Sequence, residues 1–98
     1  MIIRIVRLHL REEKREEFHL IFSQNYSHIR QSPGCLHLEL MQDSEDSCVL
    51  YTYSQWESPQ HLEAYRKSAF FRSVWPRTKA LFAGKAQAFS MQKLKKDT

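Results

Sequence analysis

The sequence predicts an α+β domain in which strands and helical regions follow one another as β-α-β-β-α-β. Three observations carry this. Residues 35–42 alternate strictly, as a half-buried strand does. Phe18, Ile21, Phe22 and Ile29 recur at helical spacing. A run rich in Val, Tyr and Thr ends at Trp56 and is followed at once by Ser58-Pro59, a helix-start signal.

The elements follow in order. Ile2 to Leu10 reads as a strand, β-branched and apolar with Arg4, Arg7 and His9 interspersed. Arg11 to Arg15 is a charged turn into a helix, and Glu12 and Glu13 suit the positive end of the helix dipole. That helix is expected to run to about Arg30, its stripe completed by Asn25 or Tyr26. Ser32-Pro33-Gly34 stops it, because Pro cannot continue a helix and Gly allows a left-handed turn. In the second strand Leu36, Leu38 and Leu40 should point one way and Cys35, His37, Glu39 and Met41 the other. Asp43 to Asp46 is a polar hairpin connection, and Ser47 to Trp56 a third strand.

Ser58 then caps a short helix to Lys67, with Pro59 at the first helical position where its missing N–H costs nothing. Ser68 caps a second piece from Ala69 to about Phe82, with Pro76 marking a kink or break. Gly84 introduces a last strand over 85–93. The order is that of the split βαβ, ferredoxin-like arrangement: a four-stranded antiparallel sheet with helices on one face. One domain over 1–92 and a basic tail over 93–98 are expected.

The helix-free face is not polar. Alternation puts Ile3, Ile5, Val49, Tyr51, Tyr53, Phe89 and Met91 there, beside Arg7, His9, His37, Glu39 and Gln87. A face so apolar predicts a homodimer in which two sheets pack together.

Bulk properties exclude several classes. The formal charge of +4 is modest and spread along the chain, which argues against a nucleic-acid partner. No apolar run approaches the roughly 20 residues that cross a bilayer, and Arg4 and Arg7 interrupt the first apolar stretch. A cytoplasmic protein with no membrane association is the expectation. Cys35 and Cys48 are too few for a disulfide scaffold, and the predicted hairpin keeps them apart.

Ile2-Ile-Arg-Ile-Val6, Glu16-Glu-Phe18, Ser32-Pro-Gly-Cys-Leu36, Gln55-Trp-Glu-Ser58, His61-Leu-Glu-Ala-Tyr-Arg66 and Ser68-Ala-Phe-Phe71 together form a pattern. Over about Met1 to Met91 the chain resembles the antibiotic biosynthesis monooxygenase (ABM) domain of the dimeric α+β barrel superfamily. The resemblance implies a dimeric barrel and a ligand site between the sheet and the helices of each protomer. It implies a cofactor-independent monooxygenase acting on a quinol-like or polycyclic aromatic molecule, with no cofactor and no metal. Haem-degrading relatives use an Asn on the first strand, the strand-end Trp and a His ligand on the last helical segment. Trp56 matches; the other two positions fall at about Val6 and Trp75, which disfavours haem chemistry.

Alternation places Arg4, Thr52, Ser54 and Trp56 on the helix-facing side, with Ala86, Ala88 and Ser90 leaving room above the sheet. Tyr65, Phe71 and Trp75 can form the opposite wall. The candidate catalytic groups are Trp56 and Tyr65 as hydrogen-bond donors, and Arg4 (or Arg66) as an oxyanion partner. Thr52, Ser54, Phe71 and Trp75 are candidate ligand contacts. His28 or His61 would serve as a base, but each reads first as an exposed helix residue. The aromatics read equally as core filling, so a non-catalytic dimeric module that binds a small hydrophobic molecule stands as the alternative.

Overall fold

The computed structural model describes residues 1–94, so Lys95, Lys96 and the end of the expected tail lie outside the described residues. Strands β1 (Ile2–His9), β2 (Cys35–Gln42), β3 (Val49–Trp56) and β4 (Gln87–Met91) form one antiparallel sheet in the order β2-β3-β1-β4. Helix α1 (Arg15–Arg30) connects β1 to β2, and α2 (Pro59–Arg66) and α3 (Ala69–Lys79) connect β3 to β4. This is the ferredoxin-like α+β topology expected from the element order.

Local chemistry sets the element ends. Ser58 adopts an extended backbone and its Oγ accepts the His61 N–H, with Pro59 at the first helical position. Ser68 does the same for the Phe71 N–H, so α3 starts afresh with only Lys67 and Ser68 between it and α2. Gly34 sits at φ +82°, the left-handed region where only glycine is unstrained. Its carbonyl accepts the Glu57 N–H at 2.7 Å and ties the turn to the end of β3.

Register decides the faces. Ile2, Arg4, Val6 and Leu8 pair with Trp56, Ser54, Thr52 and Leu50 beneath the helices. Ile3, Ile5 and Arg7 pair with Gln55, Tyr53 and Tyr51 on the bare face. Two buried clusters result. One gathers Leu8, Leu10, Phe18, Leu50 and Leu81; the other gathers Ile2, Cys35, Trp56 and Leu62.

Several expectations need correction. A β-bulge between Cys35 and His37 inserts one residue into the alternation of β2. Cys35 therefore turns inward against Trp56 and Leu62, while Leu36, expected to face the helices, is 45% exposed. β1 ends at His9, and Leu10 makes only an isolated bridge to Phe82. α3 ends at Lys79 rather than near Phe82, yet it runs through Pro76 without breaking. The last strand spans Gln87–Met91, shorter than 85–93. Both cysteines are free: Cys35 lies beside Trp56 at one end of the sheet and Cys48 at the hairpin end.

Candidate functional site

The small side chains on the sheet do not fill the space under the helices. A cavity of about 390 Å³ lies between them. Its floor is Val6, Thr52, Ser54, Ala86 and Ala88, and its far wall comes from α1 and from α2–α3. Eight of the residues singled out from the sequence line it: Arg4, Thr52, Ser54, Trp56, Tyr65, Arg66, Phe71 and Trp75. The reason is periodicity: the strand residues share one face, and Phe71 and Trp75 are one helical turn apart.

The aromatics form a continuous wall. Trp56 and Tyr65 lie 4.9 Å apart between ring centroids, Tyr65 and Phe71 5.2 Å, and Phe71 and Trp75 5.7 Å, the last pair stacked at 14°. Trp75 then meets Phe82 edge-on at 5.7 Å. Such centroid separations are those of favourable aromatic pairs, so the wall is held by its own members as well as by the sheet.

The polar groups are few. Trp56 is 1% exposed, and its Nε1–H donates to Ser54 Oγ at 3.0 Å. Ser54 Oγ–H in turn faces the Arg4 carbonyl at 3.4 Å. The indole N–H, proposed from sequence as a donor to the ligand, is thus already engaged within the chain. Burial, with a smaller contribution from nearby Cys35, pushes the Tyr65 hydroxyl well above the ordinary tyrosine value, so this phenol is a donor and not a base. Arg4 Nη1 donates to Ser90 Oγ at 2.8 Å. Burial lowers its pKa, and Arg66, which also lines the cavity, lowers it further by like charge.

The two histidines considered as bases lie elsewhere. His28 stacks on Phe70 at 3.7 Å, and His61 Nδ1 sits 2.7 Å from Ser58 Oγ. Both line a separate groove on the other side of Tyr65. The cavity does hold a residue that was not named as a contact from the sequence: Asn25, whose Nδ2 donates to the Ile21 carbonyl at 2.8 Å. A polar amide inside an apolar helical stripe was the signal.

Haem does not fit this donor set. Val6 and Trp75 stand at the positions to which the resemblance assigns the amide and the iron ligand, the lining contains neither imidazole nor thiol, and its phenol, Tyr65, is held protonated by burial. The His37–Glu39 pair, 2.8 Å apart on β2, lies on the helix-free face. Among the described residues no group of three or more His, Cys, Asp or Glu side chains gathers as metal ligands would.

Fold and cavity define a ferredoxin-like α+β domain with an aromatic pocket between its sheet and its helices. The chain belongs to the antibiotic biosynthesis monooxygenase (ABM) family, whose model matches residues 1–75. Among solved structures, a conserved protein from Methanosarcina mazei Go1 superposes with a TM-score of 0.89 at 19% identity, over 96% of this chain and 94% of its own. A structure described as an antibiotic biosynthesis monooxygenase gives a TM-score of 0.89 at 18% identity, over 96% of this chain and 99% of its own. The Pseudomonas aeruginosa protein PA3566 gives 0.82 at 22% identity, over 95% and 93%. At these identities the likeness is one of fold. No curated protein matches the chain. No helix among the described residues is long and apolar enough to cross a membrane.

Proposed function

We propose that the chain is a cofactor-independent monooxygenase that oxidises a quinol-like or polycyclic aromatic molecule in this cavity. The observation that supports it most is the lining: an aromatic wall, with Phe71 and Trp75 stacked at 14°, opposite a floor of small residues, with Arg4 and Arg66 as its only charged groups. A cavity of this size suits a small organic ligand. A bound phenol would lose its proton to solvent, since no carboxylate or imidazole lines the site. The guanidiniums would favour the anion by charge. The anion is electron-rich enough to give one electron to dioxygen. Recombination of the two radicals forms a carbon–oxygen bond, and breakage of the O–O bond releases water. Overall, quinol plus O₂ gives hydroxyquinone plus H₂O, so every atom and electron is accounted for.

The test is oxygen uptake by the pure protein with a panel of quinols and polycyclic phenols. One product oxygen per O₂ consumed, with no hydrogen peroxide, is the expected result. No uptake with any member, or peroxide formed one-for-one, overturns the reading. The absence of a base from the lining favours one alternative, a module that binds such a molecule and leaves it intact. Recovery of unchanged ligand after prolonged incubation in air would establish it.

The same reading includes a homodimer through the helix-free sheet face. Phe89, Met91 and Met41 are 51%, 42% and 40% exposed there, beside half-buried Ile3 and Ile5. Contiguous apolar surface of this kind marks an interaction site, and a two-fold pairing covers it with a copy of itself. Sedimentation as a monomer at micromolar concentration would overturn it.

A further inference from the structure

The charge at the cavity mouth is unbalanced. Arg4 reaches the neutral hydroxyl of Ser90 at 2.8 Å rather than a carboxylate. Arg66 contacts Glu63 at 3.4 Å, but that same carboxylate also serves Lys67 at 3.7 Å. Three cations therefore share one acid, and Glu63 is not part of the lining. Two of the three, Arg4 and Arg66, both line the cavity, and Arg4 feels the like charge of Arg66 as well as the opposite charge of Glu63. Like charges held together at the rim of an otherwise apolar pocket favour an anion between them.

The rest of the cavity is apolar in the other direction. Along β1 the lining passes from Arg4 through Val6 to Leu8, and on the neighbouring strand from Ser54 to Thr52. The floor on the other side is Ala88 and Ala86. Four residues of strand span about 13 Å. That leaves room for a flat ring system whose one end reaches the guanidiniums while its body lies against Phe71 and Trp75.

We propose that the molecule bound here is an aromatic carboxylic acid: a flat apolar body with a permanent carboxylate at one end, held by Arg4 and Arg66. The inference rests on reading the cavity as a small-molecule site; it does not require oxygen chemistry. The carboxylate takes charge-assisted hydrogen bonds from guanidinium groups, a geometry that arginine matches with two parallel N–H donors. It also fixes the direction in which the rings enter.

The test compares 2-naphthoate with its neutral isostere 2-naphthamide by titration calorimetry on the full chain. Trp56 and Trp75, the only two tryptophans, both line the cavity, so their fluorescence locates the binding. The expected result is that naphthoate binds roughly tenfold or more tightly than the amide. Added salt narrows the gap, and Arg4→Gln removes most of it. Arg66→Gln, a change at an exposed side chain, narrows it too and keeps the test decisive if Arg4→Gln does not fold. Equal or weaker binding of the acid, a preference unchanged in both variants, or no binding of either probe at millimolar concentration overturns the proposal. Carboxylate preference without oxygen uptake would remove the monooxygenase reading and leave this one. Oxygen uptake with no preference would do the reverse.

Discussion

The hydrogen bond from Trp56 to Ser54 decides what the indole can do, and a double-mutant cycle measures it. Both residues are buried, at 1% and 6% exposure, with the donor and acceptor 3.0 Å apart. Ser54→Ala leaves the buried indole N–H without its partner, which costs about 1–3 kcal/mol. Trp56→Phe removes the same bond and part of a ring packed against Tyr65, Ile2 and Leu62, for about 2–3 kcal/mol. Ser54 Oγ retains the Arg4 carbonyl at 3.4 Å in that variant. The double variant loses the bond only once, so the single costs over-count by about 1 kcal/mol. Each kcal/mol moves the melting temperature of a domain this size by about 4–8 °C. The assay is urea unfolding followed by far-UV circular dichroism at one protein concentration, since oligomerisation would shift apparent stability. Additivity within about 0.3 kcal/mol would refute the reasoning. The indole N–H would then be free in solution, and available to a ligand.

Three further outcomes are expected. Gly34→Ala should cost about 2–4 kcal/mol by chemical denaturation, because a Cβ at φ +82° is strained and would overlap the His61 ring; a loss under about 0.5 kcal/mol would show that the turn relaxes freely. Phe89→Glu, on the bare sheet face, should yield a monomer in sedimentation with the helix content unchanged; a persistent dimer would move the interface elsewhere. Tyr65 is held protonated by burial, so the unfolded chain ionises first as pH rises and stability falls above the ordinary tyrosine pKa of 10.0. Tyr65→Phe should remove that part of the alkaline decline, and an unchanged pH profile in the variant would count against a buried hydroxyl.

The fold was legible where local rules act alone. Ser58 and Ser68 cap their helices because a serine before a helix has one favourable place for its oxygen. Face assignment followed from alternation, which brought Arg4, Thr52, Ser54 and Trp56 to one side of the sheet. Alternation failed at Leu36 because a bulge is an extra residue that pattern counting cannot see. The Gly34 turn and its bond to Glu57 fix that corner from across the sheet. The site was less legible than the fold. Which way an indole N–H points depends on its rotamer and its neighbours, so the Ser54 acceptor appears only in three dimensions. Asn25 was read as one of two residues that complete the core stripe because its spacing matches that stripe, and spacing does not tell a core position from a cavity wall. The two histidines lie outside because the His61 ring turns back onto its own cap, Ser58, and His28 stacks on Phe70.

The cavity itself is a consequence of how the core is divided. The cluster around Phe18 and Leu50 and the cluster around Trp56 and Leu62 stand at opposite ends of the helix-facing side. Between them the sheet carries Thr52, Ser54, Ala86 and Ala88, side chains too short to reach the helices. Larger residues at these positions would bury more apolar surface and join the clusters, a gain of about 0.8 kcal/mol for each methylene added without strain. The sequence instead keeps the gap and lines its far side with mutually packed rings. An apolar void gives up dispersion contacts on every wall, and a flat ligand restores them. Folding stability forgone in the free chain is therefore available as binding free energy. The row of rings from Trp56 to Trp75 and the two arginines that share the lining determine which molecules can recover it.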